Sequence, residues 1–232
     1  MQPTALVALA GVGLAVGFLS GLVGIGGGVL IVPFLYFFYG HPAFSGAPVS
    51  PDLEAPVAHA TSLFIIVPTA VVGTLTYAKV KLVSWEAVLP VAGFSVAAAA
   101  LGANVAVLLP AEALKLVFGL FVIFAGVQLM GHKTGMEAKP MRLTLPVTAT
   151  AGIMIGLLSA LLGVGGGLVA IPLLIYLVRL DMPRVAATSL AVVMFAAAAG
   201  TVTYAIKGLG DAGLPDGSLG YVHLTAAVPI LV

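Results

Sequence analysis

Gly17-Phe18-Leu19-Ser20-Gly21-Leu22-Val23-Gly24-Ile25-Gly26-Gly27-Gly28, followed by Pro33, decides how this chain is read. It returns as Gly156-Leu157-Leu158-Ser159-Ala160-Leu161-Leu162-Gly163-Val164-Gly165-Gly166-Gly167, followed by Pro172. Over the window 13–36 against 152–175, a constant offset of 139, 11 of 24 positions are identical. A second block, 60–77 against 187–204 at offset 127, shares 9 of 18, with Ala-Thr-Ser-Leu at both starts and Gly-Thr-x-Thr-Tyr at both ends. Two blocks repeating in the same order point to an internal duplication.

The solvent of this duplicated chain follows from composition. Of its 232 residues 61% are hydrophobic and 7% charged, and the mean hydropathy is +1.23, values that belong to an integral membrane protein. A net charge of +1 supplies no basic field for nucleic acid, and the absence of cysteine removes disulfides and thiolate metal sites. Met1-Gln2-Pro3-Thr4 carries no positive charge ahead of its apolar stretch, which argues against a cleaved signal peptide and for a first membrane helix.

Apolar stretches run over 4–23, 29–39, 57–78, 85–108, 112–131, 143–162, 168–178, 184–206 and 221–232. A helix of about 20 residues crosses a hydrocarbon core of roughly 30 Å. The stretches 29–39 and 168–178 are too short for that, and each follows a glycine cluster, so they read as half-helices or re-entrant arms. Exposed irregular backbone is prohibitive in lipid; the breaks must be buried in protein or face a watery cavity.

The first half, 1–131, contains five apolar stretches, an odd number, so the second half, 143–232, enters the membrane from the opposite side. The predicted fold is therefore an all-α polytopic helical bundle of two inverted-topology repeats joined by the linker 132–142, the construction of secondary transporters that bind substrate at broken helices. Residues 91–131 find only 230–232 as counterpart, so the second repeat is expected to be incomplete at its C-terminal end. With the loop 40–56 outside, Lys79, Lys81, Lys133, Lys139, Arg142, Arg179 and Arg184 fall inside and only Lys115 and Lys207 outside. The positive-inside rule then makes the linker cytoplasmic.

Gly-x-Gly-Gly-Gly followed by proline in both halves, together with the paired Ala-Thr-Ser-Leu segments, resembles the TauE/SafE sulfite exporter family, also called the four-toluene-sulfonate-uptake family. The resemblance implies a prokaryotic plasma-membrane transporter of small sulfur-containing anions such as sulfite, thiosulfate or an organosulfonate. Its expected partners are that anion and the bilayer. It implies no cofactor and says nothing of oligomeric state.

The candidate substrate-binding residues are Gly24, Gly26, Gly27, Gly28, Gly163, Gly165, Gly166 and Gly167. Glycine admits backbone angles closed to other residues and leaves no side chain between amide groups and a ligand. The half-helices beginning at Val29 and Leu168 would turn unpaired N–H groups and their positive dipole ends toward the breaks, holding an anion without a buried Arg or Lys. Close helix packing is the alternative use of such glycines, and it is the reading for Gly13, Gly17 and Gly21 and their counterparts Gly152, Gly156 and Ala160, spaced four apart. Pro33 and Pro172 have a structural role, each fixing a bend within its short arm.

Thr61, Ser62, Thr188 and Ser189, near the starts of the next helices, are candidate hydroxyl donors to the anion; their alternative is local bonding to backbone. His59, at the mouth of a repeated helix and matched by Ala186, is the candidate for proton coupling, against a solvated helix-end role. Tyr77 and Tyr204 read as interfacial anchors. Ser20 and Ser159 have no spaced His or carboxylate partner, so an intramembrane enzyme is disfavoured; an alternating-access carrier and a passive anion pore both remain open.

Overall fold

The computed structural model describes residues 3–23, 27–41, 49–130, 140–211 and 213–231. Helix α1 spans Pro3–Val23, α2 Gly28–Gly40, α3 Pro51–Lys79, α4 Trp85–Leu108 and α5 Ala111–Met130. After the linker come α6 Leu145–Leu162 and α7 Gly167–Leu173, which continues as a π-helical turn Leu174–Val178. Helix α8 spans Met182–Lys207 and α9 Leu224–Leu231, with an antiparallel hairpin between them, β1 Ser218–Leu219 and β2 Val222–His223. Among the described residues four helices, α3, α4, α6 and α8, are long and apolar enough to cross a membrane. The molecule is an all-α polytopic membrane protein.

The two short arms match the hydropathy reading. With 13 residues in α2 and 12 in α7 plus its π turn, each reaches only about 20 Å at 1.5 Å per residue. Pro33 sits within a continuous α2, on its exposed side. Pro172 is followed within two residues by the change from α to π, consistent with the backbone donor that proline lacks.

Small residues set the close contacts. A β-carbon on Gly152 or Gly156 of α6 would collide with the α4 backbone at Val91 and Ser95, and one on Gly102 of α4 would stand 2.7 Å from the Leu157 carbonyl oxygen. The α4–α6 crossing is therefore backbone against backbone, where dispersion rather than a hydrophobic drive holds helices together. Gly13 meets Ile230 of α9 in the same manner, whereas Gly17 has nothing within 4 Å. Helix α8 packs on both α3 and α4, and α2 lies on α3.

Three features depart from the sequence reading. Helix α3 begins at Pro51, well before the apolar stretch at 57, because Pro at its first position and Asp52 and Glu54 in its first turn suit a helix start. His59 consequently lies two turns inside the helix and is fully buried, not solvated at its mouth. The stretch 221–232 opens with a β-strand whose hairpin pairs Ser218 with His223 and Leu219 with Val222.

The third concerns Tyr204. Tyr77 is 36% exposed, as an anchor would be, but Tyr204 is fully buried and donates from its hydroxyl to the Ala160 carbonyl on α6 at 2.9 Å. The Tyr221 ring of the hairpin meets it edge-on and α6 supplies the acceptor, so the ring meets protein where the symmetric expectation put headgroups. Tyr204→Phe leaves the Ala160 carbonyl short of this donor and is expected to lower stability by about 1–2 kcal/mol. A thermal midpoint in detergent checks this.

Candidate functional site

The second break is built from left-handed glycines. Gly163, which caps α6, has φ 67°, Gly165 71° and Gly166 80°, where a side chain is strained and glycine is not. The chain reverses into α7, whose first bonds run from the Val169 and Ala170 N–H groups to the Gly166 carbonyl. At the first break the Gly27 carbonyl likewise accepts from Leu30 and Ile31, although Gly27 itself is right-handed at φ −60°. Gly24 and Gly26 lie outside the described residues, as do residue 131 and 132–139 of the linker.

The two breaks stand back to back. A β-carbon on Gly28 would be 2.6 Å from the Val164 α-carbon, so the start of α2 rests directly on the loop between α6 and α7. Segments 139 residues apart in sequence meet at one point in the bundle, and glycine is what lets them.

Around this point three of the four candidate hydroxyls stitch the halves together. Ser62 donates to the Gly163 carbonyl at 2.7 Å, tying α3 to the second break. Thr61 accepts from the His223 N–H at 3.0 Å, and Thr188 accepts from the Ser84 N–H at 3.1 Å. Thr61 and Thr188 are 127 apart in sequence, and Ser84 and His223 are 139 apart, so the two bonds are reciprocal at the offsets of the repeated blocks. Ser189 bonds back to the Ala186 carbonyl of its own helix at 2.9 Å. Three of these side chains thus bridge elements, and one is locally satisfied.

The surroundings of the two breaks differ. A β-carbon on Gly163 would lie 2.6 Å from the His59 α-carbon, so the second break is sealed by α3 and its histidine. Beside the first break, Ala186 occupies the position matching His59, and there a cavity of about 380 Å³ opens between Gly27, Ile66, Thr69, Tyr77, Ser189 and Leu190. Among the described residues no charged side chain lines it. It is an apolar chamber with a few hydroxyls, a wall that suits a small solute held by backbone amides and hydroxyl groups.

Residues beyond those read from sequence complete the sealed side. Tyr36 of α2 shares a hydrogen bond of 2.5 Å with Nε2 of His59. Lys115 of α5 stands 5.5 Å from the Tyr36 ring centroid and pairs with Glu54 of α3 at 2.5 Å. A signal for these positions existed: Tyr36 and His59 match Ile175 and Ala186, so they are polar where the repeat is not. Among the described residues no group of His and carboxylates is placed to hold a metal ion.

Known proteins of similar sequence identify the family. Residues 9–232 match the family described as sulfite exporter TauE/SafE. The chain is 27% identical to a "Probable membrane transporter protein" of Methanocaldococcus jannaschii, over 95% of this chain and 80% of that one. It is 31% identical to one of Bacillus subtilis, over 87% and 79%, and 29% identical to one of Haemophilus influenzae, over 94% and 81%. No solved structure matches. With nearly its whole length matched, the chain belongs to the TauE/SafE sulfite exporter family of membrane transporters.

Proposed function

We propose that this protein is a secondary transporter that exports a small sulfur-containing anion, sulfite or an organosulfonate, across the prokaryotic plasma membrane by alternating access. Its two repeats, 1–131 and 143–232, are inverted about the paired breaks. The reciprocal bonds of Thr61 with His223 and of Thr188 with Ser84 support that relation.

One observation carries the reading: of two back-to-back breaks, one is sealed and the other opens on a cavity. A carrier holds its site open to one side at a time, whereas a pore needs a continuous wet path. With the linker cytoplasmic, the start of α8 and the end of α3 lie inside, so the chamber between Ser189 and Tyr77 faces the cytoplasm. The outer half, at His59 and Tyr204, is closed. Exchange of the two repeat conformations would bury Tyr77 and free Tyr204, opening the site outward.

An anion in the chamber would take its bonds from the Gly27–Gly28 amides and from Ser189 and Thr69 once their hydroxyls turn from the helix backbone. Outward movement needs little help, since an inside-negative potential of 100 mV favours exit of a monoanion by about 2.3 kcal/mol. Counterflow into liposomes loaded with sulfite, thiosulfate, methanesulfonate, sulfate or acetate is the test. The expected result is saturable exchange of at least one sulfur anion and none of acetate; conductance without saturation would favour the pore, and no flux at all would end the transport reading.

A further inference from the structure

His59 is fully buried, and its Nδ1 is a buried polar atom with no hydrogen-bond partner among the described residues. Such a group calls for an explanation, because a buried donor or acceptor left unpaired is costly and rarely retained. Packing against Gly163 explains the bulk at this position and leaves the second nitrogen unexplained, since any side chain of that size would seal the break.

The charges around the ring are balanced without it. Tyr36 from α2 holds Nε2, and the Tyr204 hydroxyl of α8 is committed to the Ala160 carbonyl. Lys115 from α5 stands over the Tyr36 ring and is neutralised by Glu54 of α3. On the far side of α3, where Thr61 bonds the His223 backbone, His223 and Tyr39 are bonded to each other. Helices α6 and α9 carry no titratable side chain along their lengths. A proton on the imidazole would therefore leave one uncompensated positive charge in a dry cluster, at a large cost unless an opposite charge arrives.

That charge is what a transported anion brings. We infer that His59 is the proton site of the carrier, taking a proton at its free nitrogen when the outward-open form brings the anion to the second break beside the ring, so that proton and anion cross together. The Tyr36 hydroxyl suits this role because it can donate to Nε2 or accept from it, and the bond survives either state of the ring. A monoanion crossing with that proton carries no net charge, so the membrane potential that would drive a bare monoanion outward no longer acts on it and the pH gradient sets the direction. By linkage, each ligand raises the affinity of the other by the same factor.

The inference rests on the transport reading, and the tests separate the two. Binding of methanesulfonate and thiosulfate, which keep their charge from pH 5 to pH 8, is measured by calorimetry in two buffers of different ionisation heat, which counts protons taken up per anion. Uptake of about one proton is expected, with affinity rising as pH falls. In liposomes whose potential is clamped, an outside pH one unit lower should drive methanesulfonate inward to about a tenfold ratio at one-to-one coupling. His59→Gln and His59→Ala, the latter installing the residue of the other repeat, should flatten the pH dependence and return the ratio to about one. A merely structural role would lower the thermal midpoint and leave the pH response of any remaining flux intact. Counterflow by the parent protein with no proton uptake overturns this inference alone, as does a histidine-free variant that still accumulates against the gradient. Absence of counterflow with every anion overturns the transport reading and this one with it.

Discussion

Gly163→Ala is expected to disrupt folding of the bundle. The position needs φ 67°, and the new β-carbon would stand 2.6 Å from the His59 α-carbon and 2.9 Å from its β-carbon. The left-handed conformation costs an alanine about 1–2 kcal/mol. Forcing α3 away from the break adds typically about 1–3 kcal/mol of overpacking, and the bond from Ser62 to the Gly163 carbonyl is lost with the shift. The sum is a large share of the margin of an ordinary protein. Thermal unfolding in detergent reads it directly; a midpoint equal to that of the parent would mean the second break is not held against α3.

Gly27→Leu is expected to do the opposite, stopping transport while the fold persists. Gly27 has right-handed helical angles, and its nearest neighbours as a side-chain site are the ends of Ile31, 3.3 Å away, and Val16, 3.7 Å away, both of which can move. The leucine would project into the chamber and cover the first-break amides. Counterflow of the transported sulfur anion should fall by more than tenfold, equivalent to a loss of more than about 1.4 kcal/mol of substrate binding. The thermal midpoint should stay close to that of the parent. If the variant exchanges at the parental rate, the cavity is not the substrate site. The contrast between the two glycines is the sharper test, because a purely packing role would make both variants unstable.

Most of the architecture was legible before any contact was known. Lipid leaves the backbone few options, so the long helices, the two short arms and the second break followed from hydropathy and glycine placement, whereas the start of α3 and the hairpin before α9 did not. The packing role of Gly152 and Gly156 was also readable from their spacing. The polar residues were harder. Thr61, Ser62 and Thr188 were recognised as a repeated set, yet their partners, His223, Gly163 and Ser84, lie about 100 residues or more away along the chain. Hydropathy puts His59 and Tyr204 at helix ends near water, yet both are buried, because position along a helix says nothing of which neighbour covers it.

Sequence alone determined that this protein lives in a membrane, that its two halves share one pattern, and that each half interrupts a span with glycine. These are properties of composition, period and length, which act within one segment against a uniform solvent. Tertiary structure decided that the two interruptions meet, with Gly28 on Val164, and that they are unequal: His59 closes one, and Ala186 leaves the other beside a cavity. Two nearly identical segments reach different environments because each is packed by the other repeat, and that repeat differs at the few positions that touch it.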